Sequence, residues 1–212
     1  VKGHSLSMEN AAQAMNEIMA GEATPAQFGA YVTALRLKGE TVQEIAGMAR
    51  VMREKALHVS VSGVLVDTAG TGGDRSGSFN ISTTAALVAA GAGVKVAKHG
   101  NRAMSGATGS ADVLEALGVN IDLSPEGVQQ CIEEVGFGFM FAQRYHPSMR
   151  FAAGPRREIG IRNVFNILGP LTNPAGAKRQ VIGVADPAMA RRLAEVLGTL
   201  GSERALVVHG ED

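Results

Sequence analysis

The chain has 212 residues, 45 % of them hydrophobic and 19 % charged, which suffices for a buried core and argues against disorder. Twenty basic residues balance twenty acidic ones, so neither bulk nucleic acid nor an anionic membrane surface is expected as the main partner. The single cysteine, Cys131, excludes an internal disulfide and a thiolate-rich metal site, and no apolar run approaches the ~18 residues of a membrane span. With no basic-then-apolar signal segment at its start, the chain is expected to be soluble and cytoplasmic.

Helices come first. The Ala- and Met-rich residues 8–19 favour one. Thr24-Pro25-Ala26-Gln27 joins a capping threonine to a proline at the first helical position and a glutamine at the third, and Phe28, Val32 and Leu35 then share a face. Thr41-Val42-Gln43-Glu44 repeats the capping box, and Val42, Ile45, Ala49 and Met52 follow at helical spacing. No strand-like run precedes residue 60, and residues 58–63 form the expected join to a different pattern.

From Val64 strands alternate with helices. Strands are predicted at 64–66, 94–97, 137–141, 180–184 and 205–208. Helices are predicted at 83–90 and 111–117, after Ser124-Pro125-Glu126 and after Asp186-Pro187. The third of these carries Val128, Cys131, Ile132 and Val135 on one face, where the cysteine reads as a packed residue. The alternation predicts a parallel α/β sheet with ligands at the carboxyl ends of its strands. Only 4 % of residues are aromatic, whereas 27 are glycine, so much of the glycine belongs to turns or ligand loops.

Asp67-Thr68-Ala69-Gly70-Thr71-Gly72-Gly73-Asp74 follows the first strand, with Ser76, Ser78, Asn80, Ser82 and Thr83 close behind. Glycines let backbone N–H groups turn toward an anion, and hydroxyls and a following helix N-terminus add donors. The stretch reads as a phosphate or pyrophosphate cradle, or else as a ligand-free turn. It lacks the Gly-Lys-Ser/Thr of a Walker A loop, and Arg75 stands where the dinucleotide fingerprint needs its third glycine. At the next strand end, Lys98-His99-Gly100-Asn101-Arg102-Ala103-Met104-Ser105-Gly106 supplies charge, neutral donors and close backbone approach. A solvated basic turn is the alternative, but two polar loops at successive strand ends argue for a shared ligand. Residues 143–157 carry Arg144, Tyr145, His146, Arg150, Arg156 and Arg157. One arginine could clasp a carboxylate, although such a cluster reads first as a solvated helix face. Residues 166–174 are apolar and turn-rich, a hinge, a pocket wall or a connector. The five histidines have no zinc-pair spacing, and no Gly-x-Ser-x-Gly elbow is present.

Taken together, Gly70-Thr71-Gly72-Gly73-Asp74, Asn80-Ile81-Ser82-Thr83, Lys98-His99-Gly100-Asn101-Arg102, Gly109-Ser110-Ala111-Asp112 and the run from Phe165 to Leu171 resemble signature segments of the anthranilate phosphoribosyltransferase family of tryptophan biosynthesis. Residues 18–25 and 38–41 are similar to the family as well. The resemblance implies a small N-terminal helical domain over 1–62, to which residues near 150–175 return. It implies a larger parallel-sheet α/β domain over 63–212, expected to be incomplete at its C-terminal side, of the class II nucleoside phosphorylase and phosphoribosyltransferase type. The implied reaction transfers the phosphoribosyl group of phosphoribosyl pyrophosphate to the amine of anthranilate, with Mg²⁺ as cofactor, in a homodimer without nucleic-acid or membrane partners.

By the same resemblance, the phosphoribosyl pyrophosphate site comprises Gly70, Gly73, Asp74, Ser78, Asn80, Ile81, Ser82, Thr83, Lys98, His99, Gly100, Asn101, Arg102, Ala103, Met104, Ser105, Gly106 and Ser110. Gly70, Asn101 and Arg156 fall to anthranilate and Ser82 to the metal, His99 and His146 stand near the bound aromatic, and no residue is assigned as general acid or base. The family's magnesium-binding Asp-Glu pair is expected beyond Asp212, and Glu211 and Asp212 are not that pair. The alternatives are a pyrimidine nucleoside phosphorylase-like enzyme, a fragment that binds substrate without turnover, and a non-catalytic nucleic-acid-binding relative, against which the balanced charge argues.

Overall fold

The first three helices begin where their caps stand. Ser7 accepts the Asn10 N–H ahead of α1 (Met8–Ala20). Thr24 and Gln27 close a reciprocal capping box on α2 (Pro25–Lys38), and Thr41 and Glu44 do the same on α3 (Val42–Glu54). The computed structural model describes residues 3–72, 79–103 and 108–210. Phe28, Val32, Leu35, Ile45, Ala49 and Met52 are all buried, as their spacing predicts, and Val42 of the same face is half-buried against this core. Helices α1 and α3 cross with their backbones touching, since a Cβ at Gly47 would overlap the Met8 carbonyl oxygen. The buried Glu44 carboxylate also accepts the Leu6 N–H at 2.9 Å and Lys38 Nζ at 2.8 Å, tying the entry segment and the end of α2 to α3.

The remaining elements are β1 (Val66–Gly70), α4 (Ile81–Gly91), β2 (Val96–Gly100), α5 (Ser110–Ala116), α6 (Pro125–Val135), β3 (Phe137–Phe141), α7 (Ala142–Tyr145), α8 (Arg150–Ile159), α9 (Phe165–Leu168), β4 (Arg179–Gly183), α10 (Ala188–Thr199) and β5 (Arg204–Val208). The strands form a five-stranded, wholly parallel sheet in the order β3-β2-β1-β4-β5. Successive side chains point to opposite faces. On one face Ile182 and Val184 join the core made by α1, α2, α3 and α10. Ala152, Val164, Phe165, Leu168 and Leu171 belong to that same core, so the chain after α7 returns to the first three helices. Helix α6 lies so close to β3 that a Cβ at Gly138 would come within 2.6 Å of Ile132 Cγ1. Helix α4 covers the opposite face at β1 and β2, where Ser82 meets both strands.

Some element limits differ from the hydropathy pattern. Strands β1 and β2 start two residues later than expected and run on through Gly70 and Gly100, because the ladder pairs Val66–Gly70 with Arg179–Gly183 whatever their hydropathy. Helix α4 starts at Ile81 because Asn80 caps it, accepting the Thr83 N–H at 3.1 Å. Val135 is exposed at the end of α6, which leaves Val128 and Ile132 as the buried face.

Glu44→Ala leaves its buried donors without an acceptor and is expected to lower unfolding stability by about 3 kcal/mol in urea titrations. Burial alone would raise the Glu44 pKa, but the Leu6, Lys38 and Thr41 hydrogen bonds outweigh it and hold the carboxyl below its ordinary value. This contribution is therefore full above the ordinary carboxylate range and lost as pH falls through the lowered pKa, so the variant should show a shallower acid limb.

Candidate active site at the carboxyl ends of β1 and β2

Gly70 ends β1, and the turn after it is anchored to β4, with the Thr71 N–H donating to the Gly183 carbonyl at 2.9 Å. From beyond α8, Arg162 Nη2 donates to the Gly72 carbonyl at 3.1 Å. Asn80 Oδ1 accepts the Thr83 N–H and, at 3.3 Å, the Ser82 hydroxyl. Beneath this helix start lies Lys98, whose residue is only 1 % exposed. Its Nζ donates to the Thr68 carbonyl at 2.5 Å and to Ser82 Oγ at 3.2 Å. Burial pulls the Lys98 pKa down to about 8, partly countered by the nearby Asp67 charge. A buried ammonium under a helix N-terminus is an electrostatic arrangement suited to an anion. Gly73, Asp74, Ser78, Met104, Ser105 and Gly106 lie outside the described residues.

His99 is the next residue of the same strand and so faces the other way. Its Nδ1 lies 3.1 Å from the Gly169 carbonyl, and its ring centroid is 5.0 Å from that of His146. Asp67, fully buried on this face, accepts the His99 N–H at 3.2 Å and Gln180 Nε2 at 3.5 Å. Gln180 also donates to the Pro170 carbonyl at 2.9 Å, and Asn173 Nδ2 to the Ala97 carbonyl at 2.8 Å. The turn-rich stretch 166–174 is thus stitched beneath the strand ends. Burial pushes His99 down to about 3 and His146 to about 4, and pushes the Asp67 carboxyl up. Both imidazoles are therefore neutral near pH 7, each with a buried Nε2 that has no hydrogen-bond partner among the described residues.

Between these faces, the carbonyl of Asn101 accepts the Ala111 N–H at 3.2 Å and the Ser110 hydroxyl at 3.3 Å. Gly100 needs its missing side chain, since a Cβ would overlap Ser110 Oγ and crowd Phe139. The Arg102 guanidinium pairs with Asp112 and Glu115 of α5 and lies 5.6 Å from the Phe141 ring centroid. Arg156 lies 5.3 Å over the ring of Phe165, on the segment whose Gly169 carbonyl meets His99, and burial lowers its pKa. The charge cluster of residues 143–157 is therefore not uniformly solvated, for Tyr145 and His146 are buried within it.

Sequence reasoning places Asp67 at the head of the cradle stretch and Asn173 in the turn-rich stretch 166–174, but assigns neither of them, nor Gln180, these buried partners. The available signal is a carboxylate inside a strand that is buried on both faces. For a divalent cation, Ser82 Oγ offers one oxygen ligand, and no group of three His, Cys, Asp or Glu able to hold a metal occurs among the described residues. That donor set fits a magnesium ion held mainly by phosphate oxygens and water. No described helix is long and apolar enough to cross a membrane.

Residues 1–56 match the helical bundle domain of the glycosyl transferase family, and residues 62–212 match its a/b domain. An anthranilate phosphoribosyltransferase of Roseiflexus castenholzii is 65 % identical over 210 residues, 99 % of this chain and 62 % of that protein. The chain thus spans about three-fifths of the length of that curated relative. A crystal structure of the Thermus thermophilus anthranilate phosphoribosyltransferase superposes with a TM-score of 0.95 at 54 % identity, covering 99 % of this chain and 64 % of that one. The Saccharomyces cerevisiae enzyme in complex with PRPP and Mg superposes with a TM-score of 0.88 at 29 % identity, covering 97 % and 62 %.

Because the two buried histidines are neutral when folded and protonate near pH 6.5 when unfolded, stability should fall as pH drops from about 6.5 toward 4, by up to about 1.4 kcal/mol per pH unit per histidine. Urea unfolding across this range should show His146→Gln flattening the slope.

Proposed function

The chain belongs to the glycosyl transferase family, and we propose that it carries the substrate sites of an anthranilate phosphoribosyltransferase, which moves the phosphoribosyl group of phosphoribosyl pyrophosphate onto the amine of anthranilate. The observation that carries this reading is the buried Lys98 ammonium beneath the start of α4, at the carboxyl end of a parallel sheet. The yeast enzyme in complex with PRPP and Mg, and the same enzyme with 4-fluoroanthranilate, support it through their shared fold. Residues 1–62, joined by the chain near 150–175, are read as the helical domain and 63–212 as the α/β domain, in keeping with the shared core of α1–α3, α8 and α9.

In this reading Gly70, Asn80, Ile81, Ser82 and Thr83 face the diphosphate and ribose together with Lys98, Asn101 and Ser110. Gly73, Asp74, Ser78 and Met104–Gly106 would complete that surface. Arg156 takes the carboxylate of anthranilate. The arylamine nitrogen forms a bond to the anomeric carbon while the bond to pyrophosphate oxygen breaks, and the nitrogen then loses a proton to water. An arylamine is neutral near pH 7, so no general base is needed before attack. Neutral His99 and His146 leave charge stabilisation to Lys98 and the amino-terminal turn of α4. A magnesium ion arriving with the diphosphate would neutralise the leaving group, with the Ser82 hydroxyl as one of its ligands.

The test is loss of anthranilate fluorescence on adding phosphoribosyl pyrophosphate and Mg²⁺ to the 212-residue chain. Loss that requires both additions is expected. Lys98→Met should weaken phosphoribosyl pyrophosphate binding by about 30-fold or more in calorimetry. Unchanged binding by this variant would remove the main support for the reading.

A further inference from the structure

Asp112 lies in the first turn of α5 and is given no part in the reading above. Its two carboxylate oxygens take three donors. Oδ2 accepts the Ala103 N–H at 3.1 Å and the Gly109 N–H at 2.8 Å, while Oδ1 accepts Arg102 Nη1 at 3.1 Å. The two backbone donors come from opposite ends of the stretch 103–109, so one side chain joins them. The same two ends meet in an independent way, through direct backbone contact. A Cβ at Gly109 would overlap the Ala103 nitrogen and come within 2.7 Å of the Asn101 carbonyl oxygen. Beside that contact, the Asn101 carbonyl accepts the Ala111 N–H and the Ser110 hydroxyl. The Ala103 N–H, then the Gly109 N–H, hold the Asp112 carboxyl below its ordinary pKa, so it remains a charged acceptor at neutral pH.

We infer that Asp112 is a positioning residue for phosphoribosyl pyrophosphate: by holding the backbone of Ala103 against that of Gly109, it presents Asn101 and Ser110 as one preformed surface at the end of β2. This rests on the phosphoribosyl-transfer reading of the site. The ion pair with Arg102 is not what matters, because Glu115 already binds that guanidinium through both its oxygens. Asp112 acts instead as a fixed acceptor for two N–H groups, and preorganisation of this kind improves affinity by reducing the ordering needed on binding.

Three variants separate these roles. Asp112→Ala removes the acceptor, Asp112→Asn keeps one carbonyl oxygen for both N–H groups, and Glu115→Gln weakens only the ion pair. With phosphoribosyl pyrophosphate and Mg²⁺ in calorimetry, Asp112→Ala should bind about 10-fold or more weakly, while Asp112→Asn and Glu115→Gln stay within about 3-fold of the unaltered chain. In turnover, KM for phosphoribosyl pyrophosphate should rise in Asp112→Ala with kcat retained, a split that general destabilisation would not produce. By NMR without ligand, amide exchange at Ala103 and Gly109 should quicken in Asp112→Ala and not in Glu115→Gln. Undiminished binding by Asp112→Ala overturns the inference. So does equal loss in Asp112→Asn, which would make charge rather than acceptor geometry the operative feature. If the unaltered chain does not bind phosphoribosyl pyrophosphate, the functional reading itself fails. The exchange measurement then still decides the backbone join, and unchanged exchange in Asp112→Ala refutes it.

Discussion

The strict alternation of side chains along a parallel strand covered on both faces governs this site. Lys98 and His99 are neighbours in β2, yet one meets Ser82 at the start of α4 and the other meets Gly169 and His146 beneath the sheet. Neither face is open to water at these positions, so the charged groups there are held by partners within the protein, while His99 Nε2 and His146 Nε2 have none among the described residues. Lys98 has the Thr68 carbonyl and Ser82, and Asp67 has the His99 N–H and Gln180. The same burial lowers the pKa of Lys98 and of both histidines. The site is therefore divided into a cationic side under α4 and a neutral, aromatic side toward the helical core.

The stretch that follows α9 holds the two sides in register. Gly169 meets His99, Pro170 accepts from Gln180, and Asn173 donates to the Ala97 carbonyl of β2. Arg53 of α3 donates from Nε to the Leu171 carbonyl at 2.7 Å and from Nη1 to the Leu200 carbonyl at 3.2 Å, so the same stretch is tied to the first helices and to the end of α10. Its turn-rich composition reflects this crossing. Asn173 Oδ1 accepts the Ala175 N–H, and the Thr172 hydroxyl donates to the Gly169 carbonyl, so the short polar side chains satisfy backbone groups that no regular element pairs.

Much of this is legible from residues alone. The capping boxes at Thr24 and Thr41 and the buried faces of α2 and α3 follow from spacings of three and four residues, and the structure reproduces them. The alternation after residue 64 leads to a parallel sheet flanked by helices, and glycines and hydroxyls after two strands mark the ends where the candidate site lies. The starts of β1 and β2 depart from the hydropathy pattern for a single reason. An apolar run signals burial, whereas strand limits are set by the hydrogen-bonded ladder with a neighbour that is distant in sequence. Solvation of the whole cluster 143–157 fails as an expectation for a related reason, since covering Tyr145 and His146 takes elements from elsewhere in the chain.

The sequence by itself determined the local structure and the family: caps, helical faces, strand order along the chain and motif spacing are all set by residues a few positions apart. Tertiary structure decided which polar groups lose their water and what replaces it. The bond from the His99 N–H to Asp67 spans 32 residues, and that from Gln180 to the same carboxyl spans 113. No local pattern records such pairings. They exist because neighbouring strands fix two side chains on one buried face, and a buried carboxylate there must find its donors wherever the fold supplies them.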